Sequence, residues 1–195
     1  MTTLGAAETA AETAAETSTE TAAANGERAD LLETLATHRG FLRQTTNGLT
    51  DDQARLRTTG SELTVGGLIK HVTDVEEGWA NFIVTGPSAM ESNGKDWTEW
   101  GEQEWAERAA SFQLLPGETL AGVLQRYQQV ADKTDQLVAT VDLDSSQPLP
   151  DAPWFASGTR RSARRCLLHI VAETAPHAGH ADVIREALDG VKTMG

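Results

Sequence analysis

The residues most able to do chemistry are five histidines, at 38, 71, 169, 177 and 180. Three of them fall in one short run, His169-Ile170-Val171-Ala172-Glu173-Thr174-Ala175-Pro176-His177-Ala178-Gly179-His180-Ala181-Asp182. His169, Glu173 and His177 step by four, and His180 follows after three, so on a helix their side chains lie along one stripe. Glu173 and His177, one turn apart, can grip one cation from the same face, as helical bundles do when they build metal sites. Imidazole with carboxylate suits Zn2+ or another borderline divalent ion. A pair on one helix is not a site, and a further ligand must come from another element. His71 is the best candidate: it stands between Leu68 and Val75 on an apolar stripe, where packing gives it no reason to be.

Three protein ligands leave one coordination position open, the arrangement of catalytic rather than structural zinc. An open cation can lower the pKa of bound water toward ~7, or hold a thiol as thiolate at neutral pH. His180, one turn past His177, is placed either as a general base or substrate contact, or as a support for the ligands. Each residue also has a plainer reading. Glu173 and His177 alone could be a pair on a helix surface, but Leu167, Leu168, Ile170 and Val171 make that segment look buried, and a buried carboxylate needs a partner. His38 reads as a core residue and His169 as a hydrogen-bond partner of Glu173. Cys166, among leucines, reads as a small buried hydrophobe. Asp182 and Arg185, three apart, read as a surface ion pair worth little.

The elements that must position these residues are helical. Leu31, Leu35, His38 and Leu42 predict a helix over 29–46, closed at Asn47-Gly48. Val65, Leu68, Val72, Val75, Trp79 and Phe82 predict one over 64–84, opened by Thr64 and ended at Gly86-Pro87. Leu120, Val123, Leu124, Tyr127, Val130, Leu137 and Val141 predict a third over 118–140. The fourth, over 162–188, stops before Gly190. Pro176 inside it removes the bond to the Ala172 carbonyl, at ~3 kcal/mol, and reads either as a tolerated kink or as one that aims His177. No segment alternates as a half-buried strand does. The fold class expected is all-α: a four-helix bundle whose long connections, 88–117 and 142–161, are not minimal hairpins. A short helix is expected over 99–110. Trp97, Trp100, Trp105 and Trp154 on these connections either wall an apolar pocket over the open metal position or plug the end of the bundle.

Residues 6–24 are nearly all Ala, Glu, Thr and Ser, with Glu8, Glu12, Glu16 and Glu20 four apart. Stacked carboxylates repel, and nothing large and apolar is present to dock. A flexible tail over 1–27 and one domain over 28–195 are therefore expected. The whole chain of 195 residues carries a net charge of -13. That charge repels phosphate backbones and anionic lipid, so nucleic acid and membrane surfaces are not expected partners. A single cysteine excludes an internal disulfide. The opening residues lack a basic and then apolar leader, which points to the cytoplasm.

The segments His71-x-x-x-x-Glu76-x-x-Trp79 and His169-x-x-x-Glu173-Thr174-Ala175-x-His177-Ala178-Gly179-His180-Ala181-Asp182-x-x-Arg185-Glu186-x-x-Asp189-Gly190 resemble the DinB-like metal-binding bundles. More narrowly they resemble the actinobacterial branch related to mycothiol-dependent maleylpyruvate isomerase, over roughly 29–191. The resemblance implies one divalent metal held by His71, Glu173 and His177: zinc, with nickel or iron as alternatives. It implies a low-molecular-weight thiol such as mycothiol as cosubstrate, a small electrophilic substrate, and S-transfer or isomerisation as the chemistry. It also implies a homodimer. Pro176 is a departure from the family pattern. Metal-water hydrolysis or lyase action, and a non-catalytic metal-binding bundle, are the competing readings.

Overall fold

The computed structural model describes residues 25–91, 97–150, 152 and 155–193. The segment 1–24, which makes up most of the expected tail, lies outside the described residues, as do Trp154 and the side chain of Trp97. Helix α1 covers residues 25–44. It is followed by α2 (Asp51–Arg55), α3 (Val65–Thr85), two 3-10 turns (Gly86–Met90 and Trp97–Glu99), α4 (Glu102–Ser111) and α5 (Leu120–Thr140). Strands β1 (Ser146–Pro148) and β2 (Arg160–Ser162) then lead into α6 (Ala163–Asp189).

Side-chain oxygens open the long helices. Thr64, Thr119 and Ser162 accept from the backbone N–H three residues on, satisfying donors that the helix itself leaves unpaired. Gly190, in the left-handed region at φ 79°, closes α6. The helix runs without a break across Pro176.

Two apolar clusters fill the bundle. One joins Leu42 of α1, Val65 to Val72 of α3, Tyr127 of α5 and Ala178 to Ile184 of α6. The other joins Leu31 and Leu35, Phe82 and Ile83, Val138, and Cys166 to Ile170. The chain therefore passes from the second cluster to the first along α1 and α6, and the opposite way along α3 and α5. The order is up, down, down, up. Since α3 and α5 run parallel, their connection must climb back along the bundle, about 30 Å for a helix of 21 residues. This return accounts for the length of the first connection, and it carries α4.

Between the clusters lies a polar belt. Glu76, 0% exposed, accepts from Arg39 Nη2 at 2.5 Å and from Arg39 Nε at 3.2 Å, and Arg39 Nη1 reaches Asp135 at 2.8 Å. The second connection contains a two-stranded antiparallel ladder pairing Ser146 with Ser162 and Pro148 with Arg160, an element the alternation test does not detect. The expected Asp182–Arg185 surface pair is corrected. Arg185 is buried, donates to the carbonyls of Thr45 and Asn47, and pairs with Asp189 at 2.9 Å. Asp182 instead accepts from the backbone N–H of Thr193. The i+4 partner wins over the i+3 one because Arg185 points inward to tie α6 to the end of α1.

Candidate metal centre

Positions 173 and 177 lie one turn apart on α6, and His71 faces them from α3. The ligand atoms of His71, Glu173 and His177 all lie within 4.8 Å of one another. The His71 and His177 rings meet edge to face with centroids 4.8 Å apart. His177 Nε2 is 3.8 Å from Glu173 Oε2, while His169 Nε2 is 3.6 Å from the other oxygen, Oε1. His169 thus lies beside Glu173 as its spacing suggests, but at ion-pair distance rather than in the expected hydrogen bond, because Trp79 holds its ring edge-on, centroids 4.8 Å apart. His180 is exposed at the rim, its ring centroid 5.6 Å from that of His177. His38 stands apart, packed edge-on against Phe41.

The donors suit a divalent cation. Ligands about 2.0–2.2 Å from a tetrahedral zinc lie about 3.4 Å from each other, which is close to the Glu173–His177 separation. Metal-binding imidazoles must be neutral. Burial, with help from the neighbouring His177 and Arg108, pushes the His71 pKa down to about 4. Burial also lowers the pKa of His177 and that of His169, each against the opposing pull of Glu173. His177 Nδ1 is buried with no hydrogen-bond partner. The cluster therefore offers two neutral nitrogens and a carboxylate to one point between two helices.

The contribution of Phe112 was not legible from its sequence position. It ends α4, and its ring stacks on His71 at 4.3 Å with planes 24° apart. Arg108 lies over that ring, 5.6 Å from its centroid. A signal for this packing does exist in Gly66-Gly67 at the start of α3, because paired glycines inside a helix mark a close backbone approach. His71, Trp100, Arg108 and Ser111 line a recess that shares Asp74, Val75, Trp100 and Arg108 with a larger cavity. The larger cavity measures about 430 Å³ and has Trp79, Trp100, Trp105 and Phe155 among its walls. Of the four tryptophans expected to wall a pocket, Trp100 and Trp105 do so, and Trp79 of α3 joins them.

A helical bundle with one His-Glu-His cluster between two helices, walled by its long crossover, is the class that this fold and site define. The chain belongs to the mycothiol-S-transferase family, whose model matches residues 30–190 and so takes in all three converging residues. It is DinB-like, as its histidine motifs suggest. Among solved structures it is similar to a conserved protein of locus from Enterococcus faecalis, with a TM-score of 0.58 and 14% identity, covering 83% of this chain and 96% of that one. That likeness is one of fold. No curated protein matches the chain.

Proposed function

We propose that the protein is a divalent-metal-dependent S-transferase or isomerase that joins a low-molecular-weight thiol, mycothiol in keeping with its family, to a small electrophile. The observation that carries this reading is the convergence of His71, Glu173 and His177 in a chain matched to that family. These three would hold the cation, with zinc favoured by the borderline donor set and nickel or iron as alternatives. When bound there, such a cation supplies Lewis acidity, which favours thiolate over thiol at neutral pH. The residues supply the rest. His169 orients Glu173, and Phe112 fixes the plane of the His71 ring. We assign His180 the thiol proton: its exposed imidazole takes the S–H hydrogen while the sulfur electron pair forms the carbon–sulfur bond. The electrophile's π pair or leaving group carries away the displaced electrons.

Among the described residues no helix is long and apolar enough to cross a membrane. A cytoplasmic setting, where small thiols are kept reduced, is part of the proposal, and so is a homodimer, which sedimentation decides. The test is cobalt substitution. Adding mycothiol or cysteine to the Co2+ protein is expected to raise a thiolate-to-cobalt charge-transfer band, and turnover of an electrophile is expected to need the thiol. A protein that binds cobalt, shows no such band and turns substrate over without thiol would instead perform metal-water chemistry.

A further inference from the structure

Four arginines crowd the entry to α6: Arg160 and Arg161 on β2, Arg164 and Arg165 in the first helical turn. The chain has 29 acidic residues against 16 basic ones, so carboxylates are in surplus. Yet among the described residues no carboxylate pairs with Arg160, Arg161 or Arg165. Arg160 donates to the hydroxyl and carbonyl oxygens of Ser146, and Arg165 is exposed. Arg161 is half-buried over the rings of Trp79 and Phe155, 4.6 and 5.3 Å from their centroids, and its Nη1 is buried with no hydrogen-bond partner. A desolvated cationic donor in that state gains from any anion that reaches it. Burial, then the charge of Arg165, lowers the Arg161 pKa below the ordinary arginine value, with no carboxylate to oppose them.

The remaining arginine shows where an anion can come from. Arg164 pairs with Asp144 and with Glu27, Nη2 to Oε2 being 3.1 Å. Glu27 stands in the first turn of α1, so the segment 1–24 joins the bundle beside Arg164, the immediate neighbour of Arg165. That segment contains Glu8, Glu12, Glu16 and Glu20, with no Lys, Arg or Asp.

Reach and charge both fit. Glu20 precedes Glu27 by seven residues, a span of up to ~23 Å when extended, about twice the ~10–12 Å width of a helix. Glutamates four apart repel one another, and arginines facing them remove that cost. A single exposed ion pair is weak, but a short tether supplies carboxylate at an effective concentration of about millimolar.

We propose that the acidic N-terminal segment docks on its own bundle, with Glu16 and Glu20 seated on Arg161 and Arg165, as an ionic strap beside the cavity that Trp79 and Phe155 help to wall. Carbodiimide coupling of the full chain tests it, because the reagent joins a carboxylate to a lysine amine in contact with it and leaves arginine unreacted. Arg165→Lys keeps the charge at an exposed position. Mass spectrometry of that variant at about 0.01 M salt is expected to find Glu16 or Glu20 joined to position 165 of the same chain. The yield there is expected to be at least fivefold above that at Lys133, an exposed lysine of α5. It is expected to fall at least tenfold at about 1 M salt, where charges are screened within ~3 Å. A glutamate-specific protease gives a second readout without any lysine. At low salt, cleavage after Glu16 and Glu20 is expected to be at least threefold slower in the wild type than in Arg161→Gln with Arg165→Gln, with equal rates at about 1 M. Arg165→Gln alone, which changes only an exposed side chain, is expected to fall between them. Coupling found only between two chains, coupling spread evenly over the lysines, coupling that persists at high salt, or equal cleavage rates at low salt overturns the proposal.

Discussion

The carbonyl oxygen of Phe112 lies 1.8 Å from the point that a Cβ on Gly67 would occupy. Gly67 is one helical turn before His71, so the bare backbone at 67 lets the end of α4 settle against α3 and lay the Phe112 ring on the imidazole. In an exposed helix, glycine to alanine gains about 1 kcal/mol. Here the sign reverses: Gly67→Ala must push backbone aside and is expected to cost about 1–3 kcal/mol. Chemical denaturation reads the cost, and metal titration is expected to show weaker uptake because His71 loses its backing.

The three converging residues differ in what their loss removes. His71→Ala and His177→Ala are expected to lose most bound metal in elemental analysis of purified protein. Glu173→Gln is expected to weaken metal binding while far-ultraviolet circular dichroism stays unchanged. His169→Ala leaves every donor in place and frees only the carboxylate they share, so its metal affinity is expected to fall by about 10–100-fold. Unchanged affinity in His169→Ala would mean that the 3.6 Å contact with Glu173 orients nothing.

Glu76 and Arg39 form a buried pair between the two apolar clusters. Glu76→Ala leaves the buried Arg39 guanidinium with only the half-exposed Asp135 as its carboxylate partner and is expected to cost about 3 kcal/mol by urea denaturation. The double variant Arg39→Met with Glu76→Leu removes both charges and is expected to recover most of that loss. A double variant as unstable as the single one would show that the belt fixes the helices in some way beyond charge balance.

Cys166 is fully buried, and burial raises its thiol pKa to about 11. An unfolded cysteine ionises near 8.5, as about a quarter thiolate at pH 8, against about one part in a thousand in the fold. Alkylation by iodoacetamide at pH 8 is expected to be slow in the native chain and fast in urea. The raised pKa means that the folded form holds its proton longer than the unfolded one. The stabilisation is therefore complete below about pH 8.5 and is lost as pH rises toward 11, at up to about 1.4 kcal/mol per pH unit. Cys166→Ala is expected to flatten that slope in thermal melts.

The long helices were legible because their apolar positions repeat at helical spacing between recognisable caps. The predicted spans 64–84 and 162–188 meet α3 (Val65–Thr85) and α6 (Ala163–Asp189) within a residue. His71 was legible as a polar residue on a stripe otherwise apolar. The five-residue α2 was not read, although Thr50 and Gln53 form a capping box that announces it. The β1–β2 ladder escaped because three-residue strands are too short to show alternation. Arg39 and Glu76 are 37 residues apart, and charged side chains are ordinarily solvent-facing, so neither the pairing nor the burial could be read from spacing. Arg185 misled for a related reason: its i+3 neighbour looked sufficient, while its actual partners, Thr45 and Asn47, lie far back in the chain.

The parallel course of α3 and α5 has a consequence for how such a scaffold can diversify. Helices α3 and α6 carry His71, Glu173 and His177, whereas Trp100, Trp105, Arg108 and Phe112 ride on the climb between α3 and α5. The parts that would grip a cation and most of the cavity walls therefore belong to separate stretches of polypeptide, with Phe112 as the point where the two meet. Exchanging the climb ahead of Phe112, as one would swap a lens on a fixed camera body, would recast those walls while the ring against His71 keeps its place.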